Sequence, residues 1–204
     1  YYFLIFLMYK LGITGGIGSG KSTASEFFEK KGAFIFDADS EAKNLLTNNS
    51  NLSQRIIATF GSQVTTKKQL DLKRLSALVF SSSSLQNKLN NIVWPEVLGV
   101  MIDAAEKAEN DGVTLFIVDA ALLIEAGFND FFNSILLITA DKSMRLNRIL
   151  LRKNIPENQI EKRMALQMPE SEKQKQAQTT IKNNGNMQEL HTQLELFWKK
   201  LNIS

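Results

Sequence analysis

The chain has 204 residues, of which 44% are hydrophobic and 22% are charged, a balance typical of a globular protein with a sizeable core. It contains no cysteine, which excludes disulfide bonds, thiolate metal sites and a cysteine nucleophile. Because this fits a reducing compartment, we expect a cytoplasmic protein. The net charge of +3 is small and spread along the chain, so it does not indicate nucleic-acid binding.

The first seven residues, YYFLIFL, are apolar, but a membrane-spanning helix needs about 20 such residues. The stretch also lacks the basic start and the cleavage site of a signal peptide. We therefore expect no membrane partner. We expect Met8 to be the natural start and residues 1–7 to be an addition to it; a longer first strand or an exposed apolar arm is the alternative.

A glycine-rich motif connects the first predicted strand, Tyr9–Thr14, to the first predicted helix, Gly20–Lys31. The sequence GGIGSGKST, which begins at Gly15, fits the P-loop pattern G-x-x-x-x-G-K-[ST], in which backbone N–H groups and a helix N-terminus surround a phosphate. Lys21 is expected to reach the β- and γ-phosphates, and Ser22 to offer its hydroxyl to Mg²⁺. The dinucleotide-binding pattern G-x-G-x-x-G does not fit, because Lys21 stands where its last glycine should be. The residues expected to bind the nucleotide phosphates are Gly16, Ile17, Gly18, Ser19, Gly20, Lys21, Ser22 and Thr23.

An acidic pair ends the second predicted strand, which begins at Ala33. Alternate residues of a strand point to opposite faces, so one carboxylate of Asp37 and Asp39 is expected to face the ligand crevice. A hydroxyl that accepts a phosphoryl group needs a carboxylate to orient it and to take its proton, and Asp39, the later of the two, is the candidate. The alternative is that Asp39 or Ser40 caps the next helix.

Helical patterns dominate the stretch between residues 40 and 109. They are separated by a turn at 48–51, a polar loop at 61–68 and a serine turn at 81–84, and Pro95 interrupts the longest of them. The predicted helices are Ser40–Thr47, Leu52–Phe60, Leu70–Phe80 and Leu85–Glu109.

Three more strands and three more helices are predicted after the turn signal Asp111-Gly112. The strands are Val113–Val118, Ser134–Thr139 and Thr179–Ile181, and the helices are Lys142–Lys153, Pro156–Met168 and Met187–Leu201. Asp119 follows a strand at the place where kinases often put a carboxylate that organises Mg²⁺; the alternative is an aspartate that only closes the strand.

The predicted helix after the fourth strand of the sheet is basic. Arg145, Arg148 and Arg152 are three and four residues apart, so they share one face. Such a face is usually solvated. Here it follows a strand of the expected ligand edge, so we expect at least one arginine to stabilise charge on the transferred phosphoryl group.

Apolar strands that alternate with helices predict an α/β fold in which a parallel five-stranded sheet is covered by helices on both faces. A ligand of such a sheet binds at the carboxyl ends of the strands. The P-loop, the Asp37/Asp39 pair, Asp119 and Asn183 all follow strands directly, so we expect them to gather at one edge.

Taken together, these segments resemble the dephospho-CoA kinase family. The matching blocks are GITGGIGSGKST, FIFDAD, LDLKRLSALVF, ALLIEAG, RLNRILLR, residues 164–167 and IKNNG, which stand in the family's order and cover nearly the whole chain from Met8. The resemblance implies a P-loop NTPase fold with a small helical CoA domain and a lid. It also implies transfer of the γ-phosphate of ATP to the 3′-hydroxyl of the ribose of dephospho-CoA, the final step of coenzyme A biosynthesis.

The resemblance further implies domain limits and residue roles. The core would be 8–41 and 111–204, the CoA subdomain 42–110 and the lid about 142–170. Independently of the resemblance, we expect a monomer or a small homo-oligomer. Asp39 matches the catalytic aspartate, Arg148 and Arg152 match lid arginines, and Asn183 and Gly185 match a loop near the ATP base. The expected catalytic residues are thus Asp39, Lys21 and Arg148, the acceptor-binding residues are Asp39, Arg74, Leu122, Leu123 and Glu125, and the metal-binding residues are Ser22 and Asp119.

The chain departs from the family pattern at four positions. Trp94 stands where the family usually has histidine, Ala121 stands where it has proline, and Leu72 and Ser76 stand where it has arginines. Arg74 and the neighbouring lysine are candidates to supply the lost charge from other helix faces. The departures concern acceptor binding and leave the phosphate loop and Asp39 unaffected.

Two other functions are compatible with a P-loop. Shikimate kinase also has a D-x-D after its second strand, but it should show a glycine-rich loop where this chain has the apolar sequence AALLIE at 120–125. A GTP-binding switch needs an N-K-x-D motif after a strand; the near match at 87–90, NKLN, lacks the aspartate and lies in a helical pattern.

Overall fold

The structure is a computed structural model that describes residues 8–152 and 157–203. The expectations about residues 1–7 and about Pro156 concern residues outside these ranges. The chain forms two compact units: the first joins the residues up to Asp37 with those from Asp103 onward, and the second is Ala38–Ile102. The predicted assignment of 42–110 as a CoA subdomain stays a prediction.

The described residues form strands and helices with the following bounds. The strands are β1 (Tyr9–Thr14), β2 (Phe34–Asp37), β3 (Thr65–Thr66), β4 (Gln69–Leu70), β5 (Leu115–Asp119), β6 (Ser134–Thr139) and β7 (Thr179–Lys182). The helices are α1 (Lys21–Glu29), α2 (Ala38–Asn48), α3 (Ser50–Phe60), α4 (Leu72–Val79), α5 (Ser83–Asn110), α6 (Lys142–Arg152), α7 (Glu157–Ala165), α8 (Glu170–Gln176) and α9 (Met187–Leu201).

A five-stranded sheet forms the centre of the first unit, in the order β2-β5-β1-β6-β7. Every neighbouring pair is parallel, and the register places Asp37 of β2 opposite Asp119 of β5. All residues of β5 and the last five of β6 are buried, as expected for parallel strands that are covered on both faces. The predicted α/β fold with a parallel sheet is therefore confirmed.

Helices α1 and α9 cover one face of this sheet. Phe28 of α1 is fully buried, and its ring lies edge-on to that of Phe197 in α9, with the ring centroids 6.0 Å apart. The same cluster contains Leu11 and Ile13 of β1, which alternate along the strand with Gly12 and Thr14. Burial of this face fixes where α1 begins and therefore where the P-loop ends.

The second unit consists of helices and one short hairpin. Asn49 caps α3 by accepting the N–H of Leu52, and Asp71 caps α4 by accepting the N–H groups of Lys73 and Arg74. Antiparallel strands β3 and β4 form the hairpin, although the sequence pattern predicted a polar loop at 61–68 and a helix from Leu70. The prediction was wrong here because strands of two residues are too short to show an alternating pattern of apolar and polar side chains.

The predicted break at Pro95 is wrong, because α5 continues through it. Val93 and Val97 are buried on either side of Pro95, whereas the proline itself faces solvent. The carbonyl that loses its partner belongs to Asn91, an exposed residue that water can reach. Packing of the apolar stripe thus outweighs the cost of the proline.

Two other predicted boundaries differ from the structure, and one helix was not predicted. The segment Asp37-Ala38-Asp39 is not all strand: β2 ends at Asp37 and α2 begins at Ala38, so the alternation argument does not apply to Asp39. The helix predicted through Met168 ends at Ala165, and α8 was not predicted.

Among the described residues, no helix is both long and apolar enough to cross a lipid bilayer.

Candidate active site

The P-loop has a backbone that only glycine tolerates at several positions. Gly18 and Gly20 have φ angles of 82° and 105°, in the region that L-residues rarely adopt. A Cβ on Gly18 would also come within 2.6 Å of the carbonyl oxygen of Arg145 in α6. Gly20 precedes α1, whose first turn receives no side-chain cap and holds no acidic residue. Its N–H groups and the helix dipole therefore suit an anion.

Lys21, at the start of α1, forms an ion pair with Asp119 at the end of β5. Asp119 is 6% exposed, and its other oxygen, Oδ2, accepts a hydrogen bond from the Ser25 hydroxyl at 2.7 Å. The two oxygens of Asp119 thus bind two different residues of α1. The pair fixes the first turn of α1 against the carboxyl edge of the sheet.

Asn183, which follows β7, joins the P-loop to α6. Its side-chain Nδ2 donates to the carbonyl of Ser19 at 2.8 Å, and its own carbonyl oxygen accepts from Nη2 of Arg148 at 3.0 Å. Asn183 is 6% exposed, and a Cβ on Gly20 would collide with its side-chain amide. The predicted P-loop, Asn183 and Arg148 therefore lie together.

Arg145, one turn earlier on α6, lies against the other end of the P-loop. Its Nη1 is 3.0 Å from Oε1 of Glu170, and a Cβ on Gly16 would collide with the same guanidinium. The second carboxylate oxygen of Glu170 accepts from the hydroxyl of Thr139, the last residue of β6. Helix α8 thereby fixes one arginine of the basic helix beside the phosphate loop.

Gln167 makes a direct contact with the P-loop backbone. Its Oε1 accepts the N–H of Ile17 at 3.1 Å. Neither Gln167 nor Glu170 was predicted individually from the sequence, because no local pattern indicates their contacts with Ile17, Thr139 and Arg145, which are distant in the chain. The quoted block 164–167 was the one signal that included Gln167.

The loop after β5, residues 120–127, holds the side chains that the resemblance assigns to acceptor binding. Leu123 is 1% exposed and packs beneath Gly12 of β1, so it supports the loop from within the core. Leu122 is half-buried. Oε1 of Glu125 accepts the N–H of Met168 at 3.0 Å and lies 2.8 Å from Nζ of Lys173.

Three other predicted residues, Asp39, Arg74 and Arg152, are described by their own elements. Asp39 is exposed in the first turn of α2, two residues after β2 ends, and Arg74 is an exposed residue of α4 whose Nε is 3.9 Å from Oδ2 of Asp71. Both belong to the second unit. Arg152 is the last residue of α6, but its side chain lies outside the described part of the structure.

A cavity of about 200 Å³ opens beside the P-loop in the first unit. Polar groups and apolar side chains share its wall, as is usual for sites of small organic ligands. The residues that line it are Gly18, Gly20, Thr23, Arg148, Asn183, Gly185, Asn186, Met187 and Leu190.

The residues expected to hold a metal are Ser22 and Asp119. No group of three or more His, Cys, Asp or Glu side chains in 8–152 and 157–203 could form a metal cage. Mg²⁺ in kinases binds mainly through phosphates and water, with one or two protein oxygens. The exposed hydroxyl of Ser22 and the carboxylate of Asp119 therefore fit Mg²⁺ only if phosphate and water oxygens supply its other ligands.

Comparison with known proteins decides the family. A family model described as dephospho-CoA kinase matches residues 9–189. The chain belongs to the dephospho-CoA kinase family. A dephospho-CoA kinase of Fusobacterium nucleatum is 37% identical over 188 residues, which cover 92% of this chain and 95% of that protein. Membership confirms the predicted family and makes the chain a phosphotransferase that uses ATP.

Solved structures agree with this result. A crystal structure of a protein from Thermus thermophilus has a TM-score of 0.80 and 29% identity, and the match covers 96% of this chain and 98% of that one. A shikimate kinase from Acinetobacter baumannii matches with a TM-score of 0.52 and 15% identity over 98% of each chain. The likeness between this chain and shikimate kinase, the alternative enzyme, is therefore a likeness of fold alone.

Proposed function

We propose that this protein transfers the γ-phosphoryl group of ATP to the 3′-hydroxyl of the ribose of dephospho-CoA, and so produces coenzyme A and ADP. The match of residues 9–189 to the dephospho-CoA kinase model carries the proposal. The P-loop supports it, because its uncapped helix start and Lys21 provide what a triphosphate end requires.

The nucleotide binds along the carboxyl edge of the sheet. Gly16–Thr23 surround the β- and γ-phosphates with backbone N–H groups, and Lys21 places its ammonium against them. The base occupies the cavity between the P-loop and the start of α9, beside Asn183 and Gly185. Arg148, with Arg152 further along α6, adds positive charge where negative charge develops on the transferred group.

Asp39 acts as the base for the acceptor hydroxyl. The hydroxyl proton passes to the Asp39 carboxylate, the ribose oxygen forms a bond to the γ-phosphorus, and the bond from that phosphorus to the β,γ-bridging oxygen breaks. Chain length supports this role: two residues span at most about 7 Å, so Asp39 stays near Asp37, which pairs with Asp119 in the sheet.

The acceptor is bound by residues from two parts of the chain. Leu122 and Glu125 belong to the loop after β5, with Leu123 beneath them, and Arg74 with the rest of 42–110 forms the CoA subdomain. Residues from about 142 to 170 form the lid, which excludes water during transfer. The departures at Trp94, Ala121, Leu72 and Ser76 all lie within these acceptor-binding parts.

Mg²⁺ accompanies ATP in this proposal and neutralises charge on its phosphates. Ser22 and Asp119 are the protein groups that would hold it, with phosphate and water oxygens as the other ligands. The protein works in the cytoplasm as a monomer or small homo-oligomer. The absence of cysteine is compatible with that compartment.

The test is an assay of the wild-type chain with ATP and Mg²⁺ and with either dephospho-CoA or shikimate as acceptor. We expect a 3′-phosphorylated product when dephospho-CoA is the acceptor and no phosphorylated product when shikimate is the acceptor. Asp39→Asn should keep ATP binding and lower kcat by about 10²-fold or more, and Lys21→Ala should lose transfer through poor phosphate positioning. Asp37→Asn is the matched control, with a smaller loss. Equal rates for wild type and Asp39→Asn would contradict the assignment of the base.

A further inference from the structure

Lys173 is a buried lysine on the polar helix α8. Its residue exposure is 0%, and it is the one buried residue of α8, whose sequence ESEKQKQ is polar throughout. A lysine is almost never fully buried unless its charge is compensated. The position therefore calls for a specific partner.

Both partners of Lys173 come from one short loop. Its Nζ lies 2.8 Å from Oε1 of Glu125 and donates to the carbonyl oxygen of Ala121 at 2.8 Å. The same Glu125 oxygen accepts the N–H of Met168. The other carboxylate oxygen of Glu125, Oε2, is buried with no hydrogen-bond partner among the described residues. The negative charge of Glu125 is therefore balanced by the ammonium of Lys173 at Oε1.

The loop is held on its inner side by different contacts. Leu123 packs beneath Gly12 of β1, and the carbonyl of Ala121 also accepts a hydrogen bond from the hydroxyl of Thr14 at 3.4 Å. At its start, Asp119 is fixed by Lys21 and Ser25. Lys173 thus joins two points of the loop 120–127 that lie four residues apart, Ala121 and Glu125, through a single ammonium group.

We infer that Lys173 is a positioning residue for acceptor binding, which acts by fixing the loop 120–127 through Glu125 and Ala121. The inference rests on the proposed function, in which this loop contacts dephospho-CoA. The loop lies downstream of Asp119, whose own contacts with α1 do not involve Lys173. Loss of the ammonium should therefore impair binding of the acceptor and leave binding of ATP intact.

The alternative is that Lys173 only stabilises the fold. A general loss of stability would change the kinetic constants for both substrates together, because the P-loop and the loop 120–127 belong to the same unit. The KM for dephospho-CoA, compared with the KM for ATP, separates the two roles.

The experiment compares two variants with a control. Lys173→Met removes the ammonium. The single variant leaves the carboxylate of Glu125 buried without its counter-charge and can therefore fail to fold. The double variant Lys173→Met with Glu125→Gln removes both charges and so avoids this problem. Lys175→Met is the control: Lys175 also lies on α8, and its ion pair with Glu172 is exposed, with side-chain exposures of 69% and 49%. Purified full-length proteins are assayed with both substrates, and ATP binding is measured by calorimetry.

We expect both Lys173 variants to raise the KM for dephospho-CoA about tenfold or more, with the KM and Kd for ATP within about twofold of wild type. Lys175→Met should match wild type. Hydrogen exchange at the amides of 121–127 should increase in both Lys173 variants and stay at the wild-type rate in Lys175→Met. An unchanged KM for dephospho-CoA in the double variant, or an equal loss for both substrates, would overturn the inference. A wild-type chain that does not phosphorylate dephospho-CoA would instead refute the proposed function.

Discussion

Replacement of Asn183 by alanine tests whether the buried amide next to the P-loop holds the nucleotide site together. The side chain donates to the Ser19 carbonyl at 2.8 Å, and its Oδ1 lies 3.4 Å from Nη2 of Arg148. Ser19 is 1% exposed, so water cannot easily take the place of the lost donor. The alanine variant therefore leaves a buried carbonyl without a partner.

The expected loss of stability follows from these contacts. An unsatisfied buried acceptor costs about 1–3 kcal/mol, and the weaker contact with Arg148 adds a smaller amount, so we expect a loss of about 2–3 kcal/mol. For a chain of this size each kcal/mol lowers the Tm by roughly 2–4 °C, which gives a decrease of about 4–12 °C. Because the same contacts shape the cavity and hold Arg148, ATP affinity should fall about tenfold.

Urea unfolding and calorimetric titration with ATP measure both effects. Asn184→Ala is the matched control, because the neighbouring amide makes an exposed hydrogen bond to the N–H of Asp141, which water can replace. It should change stability by about 0.5 kcal/mol or less. The reasoning is refuted if Asn183→Ala is as stable as Asn184→Ala and binds ATP as tightly as wild type.

Three further predictions concern neighbouring contacts. Gly16→Ala should displace the guanidinium of Arg145 and lower kcat/KM for ATP about tenfold, whereas Gly99→Ala, where nothing lies within 4 Å of an added Cβ, should leave it unchanged; steady-state kinetics measure both. Asp119→Asn should strengthen binding of ATP in the absence of Mg²⁺, because a carboxylate no longer competes for Lys21, and unchanged affinity in calorimetry would contradict this. The hydrogen bond from Thr66, followed by that from the N–H of Arg74, lowers the pKa of Asp71 below its ordinary 3.8. The charged form therefore stabilises the fold above pH 3.8, and this contribution is lost as the pH falls through the lower folded value. An NMR titration should show the lowered pKa, and Asp71→Asn should weaken the acid dependence of unfolding.

Much of the nucleotide half of the site could be predicted because its information is local. The strand β1 and the helix α9 were predicted with the bounds that the structure has, and the P-loop pattern lies between two strong periodic signals. The parallel order of the sheet then brings Asp119 and Asn183 to the P-loop, since Asp119 ends β5 and Asn183 directly follows β7. Short-range pattern and one topological rule were sufficient for these contacts.

The contacts of α8 could not be predicted for the opposite reason. Its sequence has no apolar face, so periodicity indicates a solvated segment, and Lys173 reads as one of several exposed lysines. Its burial depends on a carboxylate 48 positions earlier in the chain, which no local pattern reports. The same holds for Gln167 and Ile17, whose hydrogen bond joins residues 150 positions apart.

The charges around the P-loop indicate where an added polyphosphate would meet least competition. In this structure Lys21 is paired with Asp119, and Arg145 with Glu170. Arg148 differs, because among the described residues it contacts only neutral oxygens of Asn183, and its buried Nη1 has no hydrogen-bond partner. An anion that reaches Lys21 has to displace a carboxylate, whereas one that reaches Arg148 gains a cation whose charge is not yet balanced. The half-buried position of Arg148 strengthens that attraction relative to an exposed arginine. This difference favours Arg148 over Arg145 as the arginine of α6 that binds the nucleotide.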